Sequence, residues 1–132
     1  MKPLLFDTSI WVPFLRGTQN KNTVLLQEYL ATGDQVFICP TIYQEILQGF
    51  KDIESALEMK SLLDSLENLE LDGYFLAYQA AKIHITLRNA GYTIRKPNDC
   101  LIAFYSINYR VSLVHNDKDF DIIAKKYSLE YS

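Results

Sequence analysis

Cysteine and histidine are scarce in this chain, which has only Cys39, Cys100, His84 and His115. Each cysteine sits in an apolar stretch, the pattern of a buried thiol in a reducing compartment and not of a disulfide. Two cysteines and two histidines without metal spacing also argue against a zinc site. No apolar run approaches the ~20 residues that a membrane span requires. The start, Met1-Lys2-Pro3-Leu4-Leu5-Phe6-Asp7, meets a charge too soon for a signal peptide, and a cytoplasmic location is expected. An excess of positive charge is missing too: 13 Lys and Arg against 16 Asp and Glu leave a net charge of -3. Any contact with nucleic acid must then rely on local basic patches, bound metal or oligomerisation. No repeat, linker or low-complexity tract interrupts the 132 residues, a length that fits one domain over 1–132 with a single core.

What is present is the composition of a soluble globular protein, 48% hydrophobic and 22% charged, with a hydrophobic period that switches repeatedly. Leu4-Leu5-Phe6 reads as a short buried strand. A short helix follows from Ser9 with Pro13 in its first turn, closing near Gly17. Val24, Leu25, Tyr29 and Leu30 form a helical stripe that ends at Gly33, and Val36-Phe37-Ile38-Cys39 reads as a second strand stopped by Pro40. Helices are expected from Thr41 to about Phe50 and from Ala56 through Leu66. Leu69-Glu70-Leu71 reads as a third strand, Tyr74 to Asn89 as a helix closed at Gly91, and Asp99 to Tyr109 as another. Val111 to Val114 gives a fourth strand, Phe120 to Tyr127 a last helix, and Leu129-Glu130-Tyr131 a small edge strand. Strands alternating with helices predict a three-layer α/β/α sandwich around a mostly parallel sheet.

In such a sheet the ligand site lies beyond the carboxyl ends of the strands. Asp7 follows the first strand directly, and Asp117 follows the fourth through His115 and Asn116, so both should face one crevice. Asp99 falls at helical spacing from Ile102, Ala103 and Ile107, which puts it on the inward stripe at a helix N-terminus. Glu45 lies at the border of the apolar face of the helix after the second strand. Each acid has a plainer role as well: Asp7, Asp72 and Asp99 suit helix starts, Glu45 a solvated face, and Asp117-Lys118-Asp119 a polar turn. Trp11 suits the core. Converging carboxylates repel one another, however, and a cation is what makes such a cluster tolerable.

The residues also carry a resemblance. Leu5-Phe6-Asp7-Thr8-Ser9-Ile10-Trp11 resembles the opening motif of PIN-domain nucleases, and Thr41-Ile42-Tyr43-Gln44-Glu45-Ile46 is similar to the second. Asn98-Asp99-Cys100-Leu101-Ile102-Ala103 resembles the third, and Val114-His115-Asn116-Asp117-Lys118-Asp119-Phe120 the fourth. The four stand in the family's order across the chain, in the style of VapC-type toxins. The resemblance implies an endoribonuclease dependent on Mg²⁺ or Mn²⁺. Asp7, Glu45, Asp99 and Asp117 would be its catalytic, metal-binding acids, Asp119 a fifth ligand, and Thr8, Ser9 and Asn116 the supporting residues. Relatives often place Thr near His115 or Asn116, where this chain does not. Hard divalent cations prefer oxygen ligands, which suits an all-carboxylate pocket. Arg88, Arg95 and Lys96 flank the approach to Asp99 as RNA contacts. The resemblance further implies a homodimer, held inactive by a cognate antitoxin, with Tyr43, Phe50 and Tyr74 as candidates for the antitoxin groove. Two other readings stand beside it. One is a catalytically silent PIN-like RNA-binding protein. The other is a phospho-receiver module, for which Asp72 and Lys118 fit superficially while Glu45 and Asp99 would have no role.

Overall fold

The computed structural model describes every residue, Met1–Ser132. Its centre is a four-stranded sheet of β1 (Leu4–Phe6), β2 (Val36–Ile38), β3 (Glu67–Asn68) and β4 (Ser112–Val114), in the order β3-β2-β1-β4. Every pairing is parallel, with Leu4 opposite both Val36 and Ser112. Seven helices connect and flank the strands: α1 (Thr8–Leu15), α2 (Lys21–Thr32), α3 (Pro40–Leu47), α4 (Ile53–Asp64), α5 (Gly73–Asn89), α6 (Asn98–Tyr109) and α7 (Lys118–Ile123). The α/β/α expectation holds, and the sheet is wholly parallel. From β1 the chain steps outward to β2 and β3, then returns to lay β4 on the other side of β1. The reversal makes the β1/β4 border the switch point, where the following loops diverge and leave a crevice.

Strand burial explains the local sequence. Leu4, Leu5 and Phe6 are all buried, as strands covered on both faces must be, which is why they read as a continuous apolar run and not an alternation. Thirty buried hydrophobic residues form one cluster with Trp11, Phe6, Tyr105 and Phe120 at its centre. Trp11 belongs to the core, edge-on to Phe14 with ring centroids 6.0 Å apart.

Several boundaries differ from the sequence expectation. α1 begins at Thr8, so Pro13 lies inside the helix and not in its first turn; the helix ends two residues later, so little of its ladder is lost. On α2 the buried residues are Thr23, Leu26 and Tyr29, with Val24 and Leu25 only half-buried. Gly33 closes α2 in the left-handed conformation at φ 75, a geometry open to glycine without a Cβ penalty. β3 pairs two residues earlier than Leu69-Glu70-Leu71, against Phe37 and Ile38. Leu69 extends that edge by a single bond, its N–H donating to the Ile38 carbonyl at 2.8 Å. The apolar signal there marks burial of Leu69 and not the paired residues.

α3 and α4 stop short of Phe50 and Leu66, and α7 runs from Lys118 to Ile123 instead of Phe120 to Tyr127. Leu129-Glu130-Tyr131 forms no strand. It is tied to β4 by Leu113 N–H donating to the Leu129 carbonyl and by Tyr131 N–H donating to Ser112 Oγ at 2.7 Å.

Candidate metal centre at the switch point

Two residues that cap helices also open the site. Asp7 ends β1 and caps α1, its Oδ2 accepting from Ser9 N–H at 2.9 Å. Asp117 caps α7 through Oδ1, which accepts from Asp119 N–H at 2.9 Å. The plainer capping role and the site role are therefore not rivals, because a carboxylate has two oxygens and a cap uses one. Asp7 N–H in turn donates to the Val114 carbonyl, stitching the two strand ends together.

Around them lies a cavity of about 500 Å³ lined by Asp7, Thr8, Ser9, Val12, Pro13, Glu45, Gln48, Lys96, Asp99 and Asp117. The chain brings all four expected acids to it. Asp99 enters from the first turn of α6 and is buried. Glu45 enters from α3, oriented by Thr8, whose hydroxyl donates to Glu45 Oε1 at 2.7 Å. Ser9 works through its own hydroxyl, which accepts from Asn116 N–H at 2.9 Å and pins the β4–α7 loop to α1. Asn116 thus supports the site by its backbone, while its side chain is exposed. That hydrogen bond asks for no particular side chain at 116.

Asp119 is placed differently. Its carboxylate lies with those of Asp99 and Asp117 in a group whose ligand atoms fall within 4.8 Å of one another. Yet it is buried and does not line the cavity. Both oxygens are engaged by backbone, accepting from Arg95 N–H at 3.3 Å and from Lys96 N–H at 2.8 Å.

Lys96 is the cation among these acids. Its ammonium is hydrogen-bonded to Asp117 Oδ2 and lies 3.8 Å from Asp99 Oδ2. Arg95 and Arg88 line no part of this cavity. Arg88 borders a separate one of about 540 Å³ between α5 and α6, with His84 and Leu101. Gln48, the residue that caps the C-terminus of α3, also lines the cavity, and its place about one turn beyond Glu45 is the sequence signal for it. Of the aromatics considered for a groove, Tyr74 is 91% exposed, whereas Tyr43 and Phe50 pack against the core.

The electrostatics separate the two central acids. Asp99 is pushed up to about 8, first by burial, then by the charge of Asp117, with Lys96 opposing. Asp117 ends below the usual carboxylate range: burial pushes it up, but hydrogen bonds from Lys96 and from Asp119 N–H outweigh that push. Asp99 Oδ2 is fully buried and has no hydrogen-bond partner. A buried carboxylate oxygen without a partner is costly. In an all-oxygen donor set it is the kind of group that a hard divalent cation satisfies, and neither thiol lines the cavity, burial pushing Cys39 up to about 12 and Cys100 up to about 11.

The phospho-receiver reading fails on this geometry. Asp72 caps α5 by accepting from Phe75 N–H at 2.9 Å, and neither it nor Lys118 lines the acidic cavity.

A parallel α/β domain with a carboxylate cavity at its switch point presents an all-oxygen pocket of the kind that hard divalent cations favour. More closely, the chain belongs to the PIN domain family, whose pattern it matches over residues 4–126. It is 35% identical over 128 residues to VapC ribonuclease Mb1587 of Mycobacterium bovis, covering 96% of each chain. Ribonuclease VapC11 of Mycobacterium tuberculosis gives the same identity and coverage. Among solved structures, VapBC2 from Rickettsia felis bound to a DNA fragment shares the fold at a TM-score of 0.72 and 22% identity, over 98% of this chain and 96% of that one. VapBC-1 from nontypeable Haemophilus influenzae does so at 0.72 and 19%, with equal coverage.

Proposed function

We propose that this protein is a cytoplasmic, metal-dependent endoribonuclease of one domain over 1–132, the toxin of a toxin–antitoxin pair. The observation that carries the reading is Asp99, which lines one cavity with Asp7, Glu45 and Asp117 and whose buried Oδ2 has no hydrogen-bond partner. The ribonuclease names of its relatives support RNA as the substrate. The VapBC complexes that share its fold support a cognate antitoxin as partner. No helix is long and apolar enough to cross a membrane. A homodimer, with the basic residues of two copies along one groove, answers the net charge of -3.

The residues present fit Mg²⁺ or Mn²⁺. Asp7 and Asp99 would hold the principal ion directly, with Glu45 and Asp117 holding it through water or helping to hold a second. Such a cation polarises a phosphate oxygen and lowers the pKa of bound water. The chain's own residues supply the rest. Thr8 fixes the direction of the Glu45 carboxylate, Ser9 fixes the loop that carries Asp117, and Asp119 positions Arg95 and Lys96 by holding their backbone. A silent RNA-binding domain would gain nothing from an orphaned buried carboxylate.

Labelled RNA incubated with the purified protein and Mn²⁺ or EDTA, beside Asp7→Asn and Asp99→Asn, tests this. Cleavage should require Mn²⁺ or Mg²⁺, vanish in both variants, and leave 5′-phosphate and 3′-hydroxyl ends. Ends bearing 2′,3′-cyclic phosphate, the mark of attack by the ribose hydroxyl, would refute it.

A further inference from the structure

One ammonium among four carboxylates needs a reason. Lys96 Nζ is bonded to Asp117 and only 3.8 Å from Asp99 Oδ2, which it leaves without a hydrogen bond. It therefore satisfies one acid and half-satisfies another. A divalent cation carries twice the charge and coordinates several carboxylate oxygens at once, whereas an ammonium is a strongly hydrated point charge that loses little on returning to water.

The two ends of Lys96 are held unequally. Its backbone N–H is fixed by Asp119 Oδ2 at 2.8 Å, while its side chain is 60% exposed against 5% for Asp99. The head can leave through the open mouth of the cavity with no movement of the loop that bears it. A lysine serving only as a structural salt bridge would gain nothing from that exposure.

We infer that Lys96 is an exchangeable counter-cation: its ammonium balances the Asp99–Asp117 pair until a divalent cation takes that place, and then turns to the cavity mouth to meet the phosphate of the RNA. This rests on the nuclease reading above. Lys96 then has two effects of opposite sign, opposing the metal and favouring the substrate.

The test is Mn²⁺ binding by calorimetry to the full chain stripped with EDTA, as wild type, Lys96→Met, Lys96→Gln, Lys96→Arg and Lys118→Met. Lys118 is an exposed lysine next to Asp117 that does not line the cavity. Lys96→Met and Lys96→Gln should bind Mn²⁺ roughly tenfold more tightly, because a full charge at contact distance is gone. Lys96→Arg and Lys118→Met should stay near wild type. At saturating Mn²⁺, Lys96→Met should raise KM for RNA well above that of Lys96→Arg.

Binding by both neutral variants no tighter than by Lys118→Met would overturn the exchange, and an unchanged KM would overturn the phosphate contact. Two neutral variants guard against one misfolding, which thermal melts in EDTA reveal. A wild type that binds Mn²⁺ yet leaves RNA uncut removes the nuclease reading, while the binding ratios still decide the exchange.

Discussion

Asp99 concentrates the stress of this molecule in one carboxyl. Its ordinary pKa is 3.8 and the folded protein raises it to about 8. In that interval the folded chain holds a proton that the unfolded chain has released, so stability declines as pH rises from about 3.8 towards about 8 and levels off above it. Urea unfolding in EDTA should thus show the wild type less stable at about pH 8 than at about pH 5, with the decline much smaller in Asp99→Asn. The same variant should be at least as stable as wild type at the higher pH, since an amide carries no buried charge. A cation that binds here must displace the proton, so its affinity should rise with pH over the same range. Thr8 offers a milder test. Thr8→Val removes the donor to Glu45 Oε1, and should cost about 1 kcal/mol of stability or less together with a several-fold drop in cleavage rate.

At the level of elements, the site is held by ties between segments far apart in sequence. Asp119 on α7 holds the Arg95–Lys96 stretch before α6 by two backbone N–H groups, and Ser9 on α1 holds the loop after β4. Asp119→Asn leaves one acceptor for two donors and should lower stability by about 2 kcal/mol in urea unfolding. Ties of this kind explain what the sequence could and could not disclose. Asp7 and Asp117 were legible because each follows an apolar strand, and Asp99 because helical spacing put it on the buried stripe. Asp119 stands with Asp99 and Asp117 in one carboxylate group, as the resemblance implied, while its tie to the amides of a segment 23 positions away has no local signal. The position of Lys96 was hidden for the same reason. Strand edges were blurred at β3 and at Leu129–Tyr131, where hydrophobic residues bury themselves without joining a ladder.

For the molecule as a whole, charge is the governing issue. On the proposed reading, a protein of net charge -3 must bring RNA to a cavity lined by acids. Arg88 and Arg95 stand outside that cavity, Arg88 beside the α5–α6 hollow, so either would touch phosphates at a distance from the cut. If Arg95 makes such a contact, Arg95→Gln should weaken RNA binding and reduce the slope of log K against log salt by about 0.7. An unchanged slope, measured by titration over a range of salt, removes Arg95 from the binding surface.

The parallel pairing of β1 with β4 has a consequence for biosynthesis. Asp7 leaves the ribosome early, and Asp117 follows about 110 residues later, a lag of roughly 5 to 20 s at ordinary elongation rates. Until β4 docks, the first strand lacks one neighbour and the acids lack their last member. On the proposed reading, a nascent chain of this design has no complete set of acids until β4 and the loop that carries Asp117 have left the ribosome.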